Sequence, residues 1–175
     1  FDHDSYEKAA GLHGVGVSAV NAVSEHMTVV VRRDGAVWEQ KYARGIPQGP
    51  VQKIAALKKG EPTGTTVTWR RDEQIFSGVL TYDRRKVAAR LQELAFLNPG
   101  LTIELEDERG KSWGVTFHYE GGIKDYVEEA TRKGGITPVL FFTNMGTVEV
   151  AMRWTTSGEE VIRCYANNTY NSDGG

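Results

Sequence analysis

Residues 11–42 read GLHGVGVSAVNAVSEHMTVVVRRDGAVWEQKY, and how this stretch divides decides the fold. Its first part packs Gly11, Gly14 and Gly16 ahead of small helix-forming residues. Residues without Cβ let backbone N–H groups approach an anion, so a phosphate cradle is one reading. A tight turn entering a helix, with no ligand, is the other. The second part, "MTVVVRRDGAVWEQKY" at 27–42, has β-branched residues around Asp34-Gly35, a dipeptide that tolerates positive φ and predicts a tight hairpin. The chain turns straight back on itself.

That hairpin separates the competing phosphate motifs. Gly11 to Ser18 fits G-x-x-x-x-G-K-[ST] except that Val17 stands where the lysine belongs, which removes the side chain that reaches the phosphates. Gly14, Gly16 and Ala19 fit the dinucleotide form G-x-G-x-x-A, with Asp34 following 18 residues after Gly16. Context tells against it. The preceding "FDHDSYEKAA" is too polar for a buried strand, and the following strand enters a hairpin instead of a βαβ unit.

Working outward, Val17, Val20, Ala22 and Val23 are spaced to bury one face of a short helix, leaving Ser18 and Asn21 to the other. Residues 43–62 are rich in Gly and Pro and read as loop, after which "TGTTVTWRR" resumes as a strand. Residues 83–98 form the strongest predicted helix, with Val87, Leu91 and Leu94 at i, i+4, i+7 and Asn98-Pro99-Gly100 as its stop. "LTIELED" and "WGVTFHY" predict a hairpin around residues 108–111. Gly121-Gly122 breaks the pattern before a helix striped by Ile123, Tyr126, Val127 and Ala130, which Gly134-Gly135 ends. "TVEVAMRW" and "EEVIRCYA" predict a last hairpin around Ser157-Gly158. Hairpins dominate, so the expected class is α+β, a mostly antiparallel sheet with helices on one face and a boundary at Gly121-Gly122.

Composition narrows the function classes. With 39% hydrophobic and 25% charged residues and a net charge of −2, the chain has no global basic field for nucleic acid and no polybasic tract for a membrane surface. No apolar run approaches the ~18 residues of a membrane span, so the expected compartment is the cytoplasm. The lone Cys164 sits in an alternating pattern and is read as a buried, inert thiol. His and Cys show no metal-ligand spacing. The aperiodic first residues and the stop at "NNTYNSDGG" are read as the ends of an excised fragment.

A longer pattern adds to these readings. "FDHDSYEKAAGLHGVGVSAVNAVS", "TGTTVTW", "LAFLNPGLTIEL", "FHYEGGIKDYV" and "CYANNTYNSDGG" together resemble the gyrase-type B subunits of the type IIA DNA topoisomerases, over essentially the whole chain. The resemblance implies the C-terminal part of a Bergerat-type ATPase α/β sandwich across residues 1–121, followed by the start of a transducer domain at 122–175. It implies ATP and Mg²⁺ as cofactors. The implied partners are the gyrase A subunit, a second copy of the B subunit, double-stranded DNA through the holoenzyme, and aminocoumarin-type inhibitors, with no membrane. The decatenating topoisomerase IV paralogue and a non-enzymatic α+β binding module stay open as alternatives.

Carried over by position, Gly11, Leu12, His13, Gly14, Val15 and Gly16 resemble the box that wraps the triphosphate, with Val17 opening the helix behind it. Tyr6 resembles the lid tyrosine. Thr65 resembles the threonine that works with a water at the adenine edge, Val67 a residue lining the base pocket, and Arg33 the arginine that aminocoumarins engage. Ala9-Ala10 departs from a Ser/Gly pair frequent before the box, and His3 from an acidic residue. The family's general base, Mg²⁺-ligating asparagine, adenine-reading aspartate and γ-phosphate lysine match no residue here, so no catalytic residue is assigned within the chain.

Overall fold

The computed structural model describes residues 15–78, 81–144 and 148–172. The chain divides into two compact units, Gly11–Thr81 and a second containing Tyr82–Gly175.

In the first unit, helix α1 (Gly16–Ala22) leads into strands β1 (Ser24–Arg33), β2 (Ala36–Ala43), β3 (Ile46–Pro47), β4 (Gln52–Ala56) and β5 (Gly64–Arg71). They form one antiparallel sheet in the order β3-β2-β1-β5, with β4 also paired to β2. Asp34 and Gly35 take φ of 54° and 69°, the left-handed pair that a two-residue hairpin matched to strand twist requires. Arg44 and Gly45 do the same between β2 and β3, at 48° and 80°. Ser24 and Met27 are both buried although three residues apart. A bulge reconciles them: Ser24 pairs with Arg71 and His26 with Arg70, so Glu25 is an extra residue that resets the alternation.

Residues 43–62 are mostly loop, as expected, but they also hold two short strands, because β3 and β4 both pair along the outer edge of β2. Gly and Pro signalled a break, yet an edge strand tolerates a proline whose missing N–H is not needed by a neighbour. Against expectation, helix α1 does not bury an apolar face: Val17 is 63% and Val20 37% exposed. It spans under two turns and is held at its C-terminal end by polar contacts, so its apolar residues are not laid along a core.

In the second unit, α2 (Arg84–Leu97), β6 (Thr102–Asp107), β7 (Trp113–His118), α3 (Ile123–Ala130), β8 (Leu140–Asn144), β9 (Val148–Met152), β10 (Cys164–Ala166) and β11 (Thr169–Asn171) follow in order. Asp83 caps α2 by accepting from the N–H groups of Arg85 and Lys86. Asn98 turns its amide back onto the Leu94 carbonyl at 2.7 Å, satisfying the last turn. The buried residues of α2 are Ala95 and Phe96, while the predicted stripe of Val87, Leu91 and Leu94 is half-buried. Phe96 stacks on Tyr119 and Tyr126. Gly122 lies against this cluster with φ 59°, and a Cβ there would stand 2.7 Å from Pro99 Cγ, so only glycine fits.

The hairpin around residues 108–111 forms as β6–β7, and α3 matches its predicted span. The hairpin around Ser157-Gly158 does not. β9 pairs with β8, a strand that the turn signals do not mark, and β10 pairs with β11 across Asn167-Asn168. The backbone after β9 is used elsewhere: Ile136 N–H donates to Trp154 O and Thr156 N–H to Gly134 O, so 154–156 turns back on 134–136. Cys164 is half-buried in β10. Among the described residues no helix is long and apolar enough to cross a membrane.

Candidate functional site

Residues opposite one another in an antiparallel ladder point to the same side of the sheet. Val31 pairs with Thr65 and Val29 with Val67, so one face of the sheet carries Val29, Val31, Thr65 and Val67. Arg33, two residues beyond Val31, belongs to the same face at the hairpin end, and Trp38 joins it opposite Val31. The opposite face holds Arg32, which donates to Thr66 Oγ1 at 3.3 Å. The structure thus brings Thr65, Val67 and Arg33 together. Val67 and Trp38 are each 37% exposed and Trp69 50%, which leaves an accessible apolar surface with one hydroxyl beside it. Such a surface suits a flat, weakly polar ring, with Thr65 able to donate or accept. Arg33 pairs with Asp34 at 3.2 Å, both largely exposed, so its guanidinium is available at the edge of the face.

Val15, Gly16 and Val17 stand at the start of α1, Val15 occupying the cap position with no side-chain hydrogen bond. Among the described residues, a Cβ built on Gly16 meets nothing within 4 Å, and Gly16 is not among those with positive φ. A side chain there is therefore not strained by backbone conformation. Tyr6, Gly11, Leu12, His13 and Gly14 lie outside the described residues.

Sequence reasoning missed the polar anchor behind α1. Asp72, 2% exposed, accepts Arg44 Nε at 2.5 Å and the Gln74 N–H at 2.9 Å. The Arg44 hydrogen bond, then the Gln74 N–H, hold the Asp72 carboxyl below its ordinary range, and Arg44 is raised in turn by Asp72. Gly45 alone hinted at a turn, since Arg44 lacks the tolerance of positive φ that marks Asp34; nothing local marks Asp72.

In the second unit a groove of about 340 Å³ runs beside α2, lined in part by Arg90, Glu93, Tyr126 and Arg163. Its charges are already engaged: Glu93 pairs with Arg90 and accepts the Tyr165 hydroxyl, and Arg163 lies over the Tyr126 ring. Burial alone would raise Glu93, but Tyr165 and Arg90 outweigh it and hold it low. Among the described residues, no group of three or more His, Cys, Asp or Glu is placed to hold a metal ion.

No family model matches the chain. Over its whole length it is 40% identical to the B subunit of DNA gyrase from Haloferax volcanii, 37% to that of Campylobacter jejuni and 37% to that of Mycobacterium tuberculosis. Its fold superposes on the 43K ATPase domain of Thermus thermophilus gyrase B, solved with an aminocoumarin, at a TM-score of 0.79 and 32% identity, covering 93% of this chain and 45% of that one. The chain belongs to the DNA gyrase B family. It spans 28%, 22% and 30% of the lengths of those three gyrase relatives. The α+β class with mostly antiparallel sheets and three helices among the described residues is that of the gyrase B ATPase domain.

Proposed function

We propose that this chain is part of the ATP-binding subunit of a type II DNA topoisomerase, in which ATP-driven dimerisation and hydrolysis power passage of one duplex through another and negative supercoiling. The observation that carries this is the match of 93% of the chain, at 32% identity, to a gyrase B ATPase domain. ATP, bound with Mg²⁺, would supply the phosphoanhydride bond whose hydrolysis drives the cycle. In this reading Gly11 to Gly16 and Val17 hold the triphosphate, and the lack of any neighbour within 4 Å of a Cβ on Gly16 among the described residues is compatible with that. Val67 lines the adenine, Thr65 hydrogen-bonds at its edge, and Tyr6 closes over the nucleotide. Arg33 meets aminocoumarins, as its accessible position at the rim of the same face supports.

The base, the Mg²⁺ ligand and the γ-phosphate lysine come from other segments of the full-length protein. Residues 1–121 belong to the ATPase domain and 122–175 begin the transducer. Partners are duplex DNA, the gyrase A subunit, plus a second B subunit, in the cytoplasm. Neither the topoisomerase IV paralogue nor a non-enzymatic module gains support from the gyrase relatives. The test is reconstitution of the full-length protein with the A subunit of gyrase on relaxed plasmid. ATP-dependent negative supercoiling is expected; decatenation without supercoiling, or no response to ATP, overturns the proposal.

A further inference from the structure

Helix α1 is held at its C-terminal end from three sides within its own unit. Asp72 N–H donates to Val23 O at 3.0 Å, Ser24 Oγ donates to Val20 O at 2.6 Å, and the Asn21 amide reaches Gly45 O at 3.5 Å. Two of these partners, Asp72 and Gly45, belong to the Arg44–Asp72 connection or adjoin it. Arg44 N–H in turn donates to Ser24 O at 3.1 Å and Glu25 O at 3.3 Å. Arg44 itself adopts φ 48°, a left-handed conformation that non-glycine residues rarely take, and this conformation brings its backbone and its guanidinium to the α1–β1 junction together. Gly45 follows at φ 80°, where an added Cβ would lie 3.4 Å from Ala22 Cα, so the turn packs directly on the end of the helix.

We propose that Arg44 and Asp72 are positioning residues for the nucleotide: by fixing the end of α1, they set where Val15 and Gly16, at its other end, meet the triphosphate. This rests on the ATP reading under the proposed function. The helix is short and hydrogen-bonded as one piece, with Ala19 N–H on Val15 O at 2.8 Å, so a shift at Val23 is carried to Gly16. The sheet face of Thr65, Val67 and Arg33 is built instead by the β1–β5 and β1–β2 ladders, several residues along those strands from this anchor.

The experiment uses the full-length protein with Asp72→Asn, Arg44→Lys and Arg44→Gln, measuring binding of a non-hydrolysable ATP analogue, binding of an aminocoumarin, and the melting temperature. Asp72→Asn is expected to weaken the analogue about tenfold while changing the aminocoumarin by no more than about twofold, a size set by loss of one charge-assisted hydrogen bond. Arg44→Lys, which keeps the cation, should lose less than Arg44→Gln. Equal losses for both ligands, or unchanged analogue binding in a folded variant, overturn the positioning role. If Asp72→Asn fails to fold, the Arg44→Lys and Arg44→Gln pair decides by the same comparison. A wild-type protein that binds no analogue overturns the ATP reading and this inference with it; normal wild-type binding matched by the variants overturns only the inference.

Discussion

The ring of Phe96 on α2 lies 3.7 Å from that of Tyr119 after β7, centroid to centroid, and 4.9 Å from that of Tyr126 on α3. One side chain therefore joins a helix, a hairpin and a second helix across the Gly121-Gly122 break. Phe96 is 2% exposed, so truncating it removes buried apolar area and leaves a cavity. Phe96→Ala should destabilise the Tyr82–Gly175 unit by about 3–5 kcal/mol in denaturant unfolding, and Phe96→Leu by clearly less. A loss under about 1 kcal/mol for the alanine variant would show that the stack does not hold these elements together.

Asp72 gives the first unit a defined acid response. Its carboxyl is held below the ordinary value of 3.8 by Arg44 and then by the Gln74 N–H. A carboxylate depressed in the folded state contributes stability above its unfolded pKa, and loses that contribution as pH falls through the folded one. The stability of the wild-type chain, followed by near-ultraviolet circular dichroism, should decline below about pH 4. Asp72→Asn should flatten part of that decline. Asp107, held low by Arg109, and Glu93, held low by Tyr165 and Arg90, contribute to the remainder in the other unit. An identical acid profile in wild type and variant would refute the assignment.

Gly45 and Gly16 should respond oppositely to a methyl group. Gly45 has φ 80° and sits on Ala22, so Gly45→Ala should cost about 1–2 kcal/mol of stability. Gly16, in the first turn of α1 with no described neighbour within 4 Å of an added Cβ, should accept Gly16→Ala with a change within about 1 kcal/mol, in the stabilising direction. Gly16→Val should likewise leave the fold intact yet weaken binding of an ATP analogue to the full-length protein. Analogue binding unaffected by that valine would remove Gly16 from the site.

The hydroxyl of Tyr165 donates to Glu93 Oε1 and ties β10 to α2. Burial, then the hydrogen bond to Glu93, push the Tyr165 hydroxyl well above its ordinary 10.0. Stability from this group is fully present below the ordinary value and is lost as pH rises through the raised one. Tyr165→Phe should cost about 1–2 kcal/mol at neutral pH, since Glu93 loses a donor. It should also remove a late-ionising tyrosine from an ultraviolet alkaline titration. If the variant titrates like wild type, the hydroxyl is not held as described.

Much of the architecture was written locally. Asp34-Gly35, the strand read in "TGTTVTWRR", the stop of α2 and the β6–β7 hairpin depend on residues within a few positions of one another, and each formed as read. The gyrase resemblance was likewise carried by contiguous blocks such as "GLHGVG" and "LAFLNPGLTIEL". For the candidate site, the period of two along β5 already put Thr65 and Val67 on one side. Their junction with Arg33 required the β1–β5 ladder, which spans more than thirty residues of chain and leaves no mark in either strand alone.

Tertiary structure alone decided which of several possible partners each segment took. β9 had an apolar strand on either side in sequence, and it paired with β8 because the backbone at 154–156 is hydrogen-bonded to 134–136. β3 and β4, punctuated by Pro47 and Pro50, became strands because β2 presented an unpaired edge to them. Asp72 became a buried anchor only when the turn at Arg44 delivered a guanidinium to it from 28 residues away. Sequence by itself determined the elements whose hydrogen bonds and caps close within a turn or a hairpin, together with the family; competition among distant edges and charges for the same partner is a property of the folded chain, and there the structure chose.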